Sequence, residues 1–232
     1  MELKIVRPTG ATVWRIGYQR DPLAWADWSH ATNGLFQGRW DDPDGRFRTL
    51  YFGDAVLNCL VELLAHARRE KYLTEALSGI DEDPEDAEHY PTIDPGKVDR
   101  AWLLPRCVAE ATLAGRHCDV TDKETIAALH PHFIRQTLEA GHYDFDAALL
   151  KNGEARSLTQ AVAAYLFLQD NVDGVRFTSR HGEDMGHWSV FEQAETDSPT
   201  SPYVLRVGVS ALTEDMPEIG QAFEILGLEW ND

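Results

Sequence analysis

The sequence lacks the features of a secreted, disulfide-bonded or membrane-spanning chain. Its 232 residues include three cysteines, an odd number without CxxC spacing. Such a set predicts neither a disulfide framework nor a zinc motif, and it indicates a reducing compartment. No apolar run approaches the roughly 18 residues that cross a bilayer, and the first residues show no signal-peptide pattern. We therefore expect a cytoplasmic protein that does not enter a membrane.

The common motifs of nucleotide cofactors and catalytic metals are absent as well. The chain has no GxGxxG, no GxxxxGK[ST] and no HExxH, so neither a Rossmann site, a P-loop nor a zinc-protease site is indicated. The closest histidine pairs, His130 with His132 and His181 with His187, fit no usual metal-ligand spacing. We expect neither a metal nor a recycled cofactor.

Positive charge is also scarce. The chain has 21 lysine and arginine residues against 39 aspartate and glutamate residues, and its net charge is −18. Binding to nucleic acid depends on clustered cations that neutralise phosphates, so we expect no direct contact with nucleic acid. Residues 1–48 are the exception, with seven basic residues against six acidic ones. Arginines in this region suit a phosphate group, whereas the acidic remainder favours solubility.

The pattern of predicted elements indicates the fold class. Hydrophobic residues make up 43% of the chain, which is enough for one domain with a sizeable core. Strands and helices alternate without a regular βα repeat, which favours an α+β fold with short, largely antiparallel strands. Strands are predicted at residues 13–17, 49–52, 106–113, 175–178, 188–191 and 203–209.

Local signals predict where three helices begin. Asp54 is a candidate N-cap for a helix that runs to about residue 71, and an acidic loop follows at 81–86. Capping boxes start at Thr121 and at Ser157. We expect the second helix to break at Pro131 and the third to end near residue 169.

Short motifs place chemically useful side chains along the chain. Arg39, Tyr51 and Glu62 lie twelve and eleven residues apart on successive short elements. Together they would line one cleft that binds an anion, stacks a ring and stabilises a cation. The motifs, in chain order, are WRI at 14–16, GRW at 38–40, LYFG at 50–53, LVE at 60–62, GVRFTSR at 174–180 and HWSVF at 187–191.

This ordered set resembles the RES domain, a family named for its arginine, glutamate and serine. The resemblance implies a fold like that of ADP-ribosyltransferases, with strands around a cleft and flanking helices. It also implies that NAD is consumed as a substrate, commonly by the toxin of a toxin–antitoxin pair. The motifs lie at the two ends of the chain. We therefore predict one RES-like domain over residues 1–232, with an acidic helical insertion at about 70–156 that carries no motif.

The resemblance also implies roles for five residues. Glu62 would stabilise the ribosyl cation formed as nicotinamide departs, and Arg39 would contact the pyrophosphate or ribose of NAD. Arg15 is a comparable binding candidate. Tyr51 would stack on nicotinamide or orient the ribose, and Ser179 would support the pocket through a hydrogen bond.

Each of these residues also has an ordinary structural interpretation. On helical spacing alone, Glu62 is a solvent-facing glutamate, and Arg39 is a surface arginine packed on Trp40. Tyr51 has the sequence context of a half-buried core aromatic. Ser179 has that of a hydroxyl that bonds nearby backbone at the end of a strand.

Three functions from different classes fit the sequence. The first is an NAD glycohydrolase or phosphorylase, with an Xre-type helix-turn-helix antitoxin as a possible partner. The second is an ADP-ribosyltransferase that acts on a macromolecular acceptor. The third is a non-catalytic protein whose acidic surface binds a basic partner, and the complete set of Arg39, Tyr51 and Glu62 counts against it.

Overall fold

A computed structural model describes residues 2–68, 95–193 and 198–231. The strands in these ranges are β1 (Ile5–Val6), β2 (Ala11–Tyr18), β3 (Thr49–Gly53), β4 (Lys97–Asp99), β5 (Arg106–Leu113), β6 (His117–Asp119), β7 (Gly174–Ser179), β8 (Gly182–Phe191), β9 (Val204–Ala211) and β10 (Glu229–Asn231). The α-helices are α1 (Val56–Leu64), α2 (Lys123–Glu139), α3 (Ala147–Lys151), α4 (Arg156–Phe167) and α5 (Pro217–Leu226).

Eight of these strands form one sheet in the order β1-β6-β7-β8-β3-β2-β5-β9. Neighbouring strands run antiparallel except β6 and β7, which run parallel. β4 and β10 form a separate two-stranded parallel ladder. The α+β class with a largely antiparallel sheet is therefore confirmed. No helix among the described residues is long and apolar enough to cross a membrane.

The helices cover the sheet in two groups. Ile16 and Val108, which are partners in β2 and β5, pack with buried side chains of α1 and α5. Phe177 of β7 packs with the other group, α2, α3 and α4. Leu50 and Trp188 belong to a third cluster, on the opposite face of the sheet. Strand alternation therefore puts both groups of helices on the same face of the sheet, opposite Leu50 and Trp188. In the sheet order, β8 and β3 lie between the strands that the two groups cover.

The sheet is loosely joined at β2 and β3. β2 pairs with β5 along eight residues, but its register with β3 is a single pair, Trp14 with Gly53. The guanidinium of Arg15 bridges the two strands. Its Nε–H donates to the carbonyl oxygen of Pro22 at 2.8 Å, and Nη1 donates to that of Tyr51 at 3.0 Å. Arg15 thus replaces ladder hydrogen bonds that the diverging strands do not form.

The predicted strands are confirmed, but the predicted start of the first helix is wrong. The strand at Arg106–Leu113 has the predicted bounds, and the other five overlap observed strands. Asp54 is not the N-cap of α1, which begins after Ala55 without a side-chain cap. Asp54 instead accepts hydrogen bonds from Trp188 Nε1 at 2.6 Å and Arg176 Nη2 at 2.8 Å. α1 ends at Leu64, and both residue 71 and the predicted loop at 81–86 lie outside the described ranges.

The other helix signals also need correction. Pro131 lies inside α2 without breaking it, on an exposed side of the helix. Asp122, not Thr121, caps α2. Ser157 caps nothing, since a 3₁₀ turn at Gly153–Ala155 leads directly into α4, whose N-cap position is Ala155. α4 ends at Phe167, two residues before the predicted end.

Candidate functional site

Glu62 of α1 and Ser179 at the end of β7 are in contact. The Ser179 hydroxyl donates a hydrogen bond to Glu62 Oε1 and accepts one from the backbone N–H of His181 at 2.9 Å. Ser179 is buried, and Glu62 is half-buried. α1 buries Leu60 and Leu64 against the sheet, which leaves Glu62 on the side that meets the end of β7. Glu62 is therefore held in place and is not the freely solvated side chain that helical spacing alone predicts.

Arg39 lies close to this pair. Its side chain is half-buried. Burial lowers the pKa of the Arg39 guanidinium, and the neighbouring carboxylate of Glu62 acts to raise that pKa. The one hydrogen bond of Arg39 within the described residues is long, 3.5 Å from Nη1 to the carbonyl oxygen of Leu150. Arg39 is thus a cation beside Glu62 with most of its donors available to a ligand.

Two further arginines, Arg156 and Arg180, lie near Arg39, and their positive charges help to lower its pKa. Arg156 begins α4, and Arg180 lies in the turn between β7 and β8. A Cβ atom at Gly153 would lie 2.8 Å from Arg180 Nη1, so this turn packs closely on the segment before α4. A salt bridge joins the same two regions, because Lys151 Nζ of α3 donates to the Glu183 carboxylate of β8 at 2.5 and 2.7 Å.

None of Arg39, Arg156 and Arg180 forms an ion pair with a carboxylate in the part of the chain that the structure describes. Three guanidinium groups without a carboxylate partner in the described ranges, in a chain with a net charge of −18, are suited to bind an anion. Sequence reasoning missed Arg156 and Arg180. The available signal was that Arg180 directly follows Ser179 in the GVRFTSR motif, whereas nothing around Arg156 pointed to the site.

Tyr51 lies near Arg39, and both hydrogen-bonding roles of its hydroxyl are satisfied within the protein. It donates to Asp41 Oδ1 at 2.8 Å and accepts from the backbone N–H of Trp40 at 2.9 Å. Burial and the nearby Asp41 carboxylate raise the pKa of Tyr51 well above its ordinary value, so the phenol stays neutral. The chain turns closely over this hydroxyl, because a Cβ atom at Gly38 would lie 2.5 Å from it. This contact explains the glycine of the GRW motif.

Arg15 has a different environment from the other predicted residues. Strand alternation places Arg15 on the face of β2 opposite Trp14 and Ile16. Its guanidinium bonds the backbone carbonyls of Pro22 and Tyr51, and burial lowers its pKa. The structure therefore brings Arg39, Glu62 and Ser179 together with Tyr51 beside them, and it directs Arg15 to the backbone behind Tyr51.

The order and spacing of these residues can be compared with known families. A family model described as the RES domain matches residues 12–207. The chain belongs to the RES domain family. The matched range contains all five residues predicted for the site. No curated protein and no solved structure matches the chain.

A buried histidine of this RES domain lies near Glu62. His187 of β8 lies opposite Gly53 of β3 and stacks on Phe177, with ring centroids 5.4 Å apart at 23°. Its Nδ1 is 3.1 Å from the carbonyl oxygen of Met185. Burial lowers the pKa of His187, and Glu62 acts to raise it. The ring is therefore an uncharged, rigid surface next to Glu62.

Trp188, the next residue of the HWSVF motif, lies on the far side of the sheet. Its ring belongs to the cluster with Leu50, and its Nε1–H bonds Asp54. Within residues 2–68, 95–193 and 198–231, no group of three histidine, cysteine or acidic side chains is arranged to hold a metal ion. The chemistry available in this RES domain is that of a fixed carboxylate, a hydroxyl and a cluster of arginines.

Proposed function

We propose that this RES domain degrades NAD by cleaving the bond between nicotinamide and ribose. The strongest support is the contact of Ser179 with Glu62, next to three arginines that have no carboxylate partner among the described residues. Such a site combines a fixed negative charge with a cationic patch. NAD needs both, because its pyrophosphate is anionic and its nicotinamide ribose develops positive charge during cleavage.

The carboxylate of Glu62 would act on the developing cation. When the C1′–N bond breaks, its electron pair goes to the nicotinamide nitrogen, and this neutral leaving group needs no proton. The ribose is left as an oxocarbenium-like cation, which a preorganised carboxylate stabilises. The hydroxyl of Ser179 holds Glu62 in one orientation, so little reorganisation is needed during the reaction.

The second step decides the product. Attack of water on C1′ followed by loss of its proton gives ADP-ribose, and attack of inorganic phosphate gives ADP-ribose 1″-phosphate. Both outcomes use the same groups for bond cleavage, so glycohydrolase and phosphorylase activity are two forms of one proposal. Phosphate titration with product analysis distinguishes them.

The remaining predicted residues have binding roles in this proposal. Arg39 contacts the pyrophosphate, and the ring of Tyr51 packs beside the ribose attached to nicotinamide. Arg15 holds the backbone of Tyr51 through its bond to that carbonyl. Direct contact of Arg15 with NAD stays a prediction.

Purified protein incubated with NAD tests the proposal. We expect release of nicotinamide, measured by liquid chromatography, and loss of this release in Glu62→Gln. Glu139→Gln is the matched control, because Glu139 pairs with Arg135 on an exposed part of α2. NAD labelled in its adenine separates the alternatives. Label in free ADP-ribose or its phosphate supports the proposal, and label fixed to protein or nucleic acid favours the transferase.

We also propose a cellular role as the toxin of a pair whose second member is an Xre-type helix-turn-helix protein. The support is membership of the RES domain family. Induction of the gene should lower cellular NAD and stop growth, and co-expression of an adjacent helix-turn-helix gene should restore both. Growth arrest that persists in Glu62→Gln would contradict a role through NAD cleavage.

A further inference from the structure

A cavity of about 330 Å³ opens beside the candidate site. Its volume is at the lower end of the range for small-molecule pockets. The loop after the 3₁₀ turn at Trp28–His30 forms one wall, and β3 forms the other. The residues that line it include Phe36, Gln37, Gly38, Asp41, Thr49 and Tyr51.

The cavity lies along Thr49 and Tyr51 in the first part of β3, whereas the Glu62 carboxylate lies near the far end of the strand. Thr49 lines the cavity. Gly53, at the other end of the strand, pairs with His187, which is near enough to Glu62 for that carboxylate to act to raise its pKa. Four residues of extended strand span roughly 13 Å. Arg39 lies between these ends. It directly follows Gly38, which lines the cavity, and it is near enough to Glu62 for that carboxylate to act to raise its pKa.

Hydrogen bonding within the cavity leaves one polar side chain available. The hydroxyl of Tyr51 and the carboxylate of Asp41 bond each other, and the Thr49 hydroxyl donates to the carbonyl oxygen of Trp40 at 3.1 Å. Arg48, which also lines the cavity, pairs with Glu192. Among the lining side chains with polar groups, Gln37 alone has no hydrogen-bond partner in the described residues.

Gln37 adjoins an aromatic ring that also faces the cavity. Phe36 is half-buried and packs on Trp28, with ring centroids 5.3 Å apart. Phenylalanine rings stack on nucleobases, and a glutamine carboxamide can both accept from adenine N6 and donate to N7. A flat heterocycle with a donor and an acceptor on one edge fits this pair of side chains.

We propose that this cavity binds the adenine ring of NAD. The proposal rests on the proposed function, because it takes Glu62 to lie at the nicotinamide ribose. The order along β3 is then nicotinamide ribose between Glu62 and Tyr51, pyrophosphate at Arg39, and adenine on the other side of Tyr51, between Phe36 and Gln37. Thr49 and Gly53 are roughly 13 Å apart, a span that is too long for the nicotinamide ring, which is bonded directly to the reacting carbon, and that suits the adenosine end of an extended dinucleotide.

Truncated substrate tests this assignment. Phe36→Ala should raise KM for NAD roughly tenfold, the loss expected for one stacked base. The same variant should leave kcat/KM for nicotinamide mononucleotide within about twofold of wild type, because this substrate has no adenine to lose. Tyr143→Ala, which removes a fully exposed aromatic ring away from the cavity, is the control. Equal losses on both substrates, or no loss on either, would overturn the proposal.

A second variant tests the recognition of the base edge and does not depend on stacking. Wild type should prefer NAD to nicotinamide hypoxanthine dinucleotide, in which the N6 amino group is replaced by an oxygen. Gln37→Leu should reduce that preference by roughly tenfold, and thermal melting should show an unchanged fold because the side chain is exposed. A preference that persists in Gln37→Leu would remove Gln37 from the site.

Binding of AMP, measured by calorimetry, separates this proposal from the proposed function. If NAD is not cleaved but AMP binds wild type and binds Phe36→Ala more weakly, the adenine site stands and the proposed reaction fails. If NAD is cleaved and AMP binding is the same in wild type and Phe36→Ala, the adenine site is overturned while the reaction stands.

Discussion

Ser179 donates its hydroxyl hydrogen to the carboxylate of Glu62, although the two residues are 117 positions apart in the chain. The sheet brings them together, because β7 ends beside the exposed flank of α1. The hydrogen bond holds the negatively charged carboxylate of Glu62 in one orientation. The first prediction follows from that fixed charge.

Glu62→Gln should lower kcat for NAD cleavage by roughly 10² to 10³-fold and change KM little, because the cation that Glu62 stabilises forms only during bond cleavage. Ser179→Ala should give a smaller loss in kcat, since the carboxylate remains but is less well oriented. Steady-state kinetics with melting curves for both variants provide the measurement. Near-normal kcat in Glu62→Gln would show that Glu62 is not catalytic.

Arg39→Ala, Arg156→Ala and Arg180→Ala should each raise KM for NAD roughly tenfold with a small change in kcat, because a pyrophosphate is charged before and during reaction. Raised salt should weaken wild-type binding by screening the same charges. Arg135→Ala is the control, since Arg135 is exposed and pairs with Glu139. An unchanged KM in all three variants would place the pyrophosphate elsewhere.

Gly38→Ala should destabilise the protein by about 1–3 kcal/mol. The new methyl group would lie 2.5 Å from the Tyr51 hydroxyl and 2.6 Å from Asp41 Oδ2, so the turn that carries Arg39 must shift. Gly220→Ala in α5 is the matched control, because nothing lies within 4 Å of its Cβ position. Urea unfolding compares the two variants. Equal stability of Gly38→Ala and wild type would mean that the turn adapts without strain.

His117 should make the protein less stable as the pH falls. Burial lowers its pKa from 6.5 to about 4, although Asp173 acts to raise it, and neither ring nitrogen has a partner among the described residues. The unfolded chain therefore takes up a proton below pH 6.5 that the folded chain excludes until about pH 4. The resulting loss of unfolding free energy between pH 7 and 4.5 is about 2–3 kcal/mol.

Urea unfolding across that pH range checks the effect of His117. His117→Phe should show a weaker pH dependence than wild type. Parallel curves for wild type and His117→Phe would contradict the assignment.

Strand positions were predictable from the sequence, and helix ends were not. The alternation of apolar residues in a strand such as Arg106–Leu113 is a local property of the chain. Whether a side chain caps a helix depends on whether it bonds the first turn of that helix or a donor from elsewhere in the fold. Asp54 has the residue type of an N-cap, but Trp188 and Arg176 bind its carboxylate from β8 and β7. Pro131 lies within α2, on an exposed side of the helix.

Four candidate residues were predictable because the motifs of the family contain them. Arg39, Tyr51, Glu62 and Ser179 lie near one another, and their chemical roles stay predictions. Arg156 and Arg180 were missed, because their approach to Arg39 depends on how the turn after β7 packs on Gly153. The extent of the domain over residues 1–232 and an insertion at about 70–156 also stay predictions.

The sequence by itself determined the fold class, the family and the identity of the candidate residues, because composition, alternation and ordered motifs are properties of the chain alone. Only the tertiary structure decided which residues meet. The pairing of β3 with β8 and the packing of α1 bring Glu62 to Ser179, and the divergence of β2 from β3 directs Arg15 to backbone carbonyls. Such contacts join residues far apart in sequence, so no local pattern encodes them.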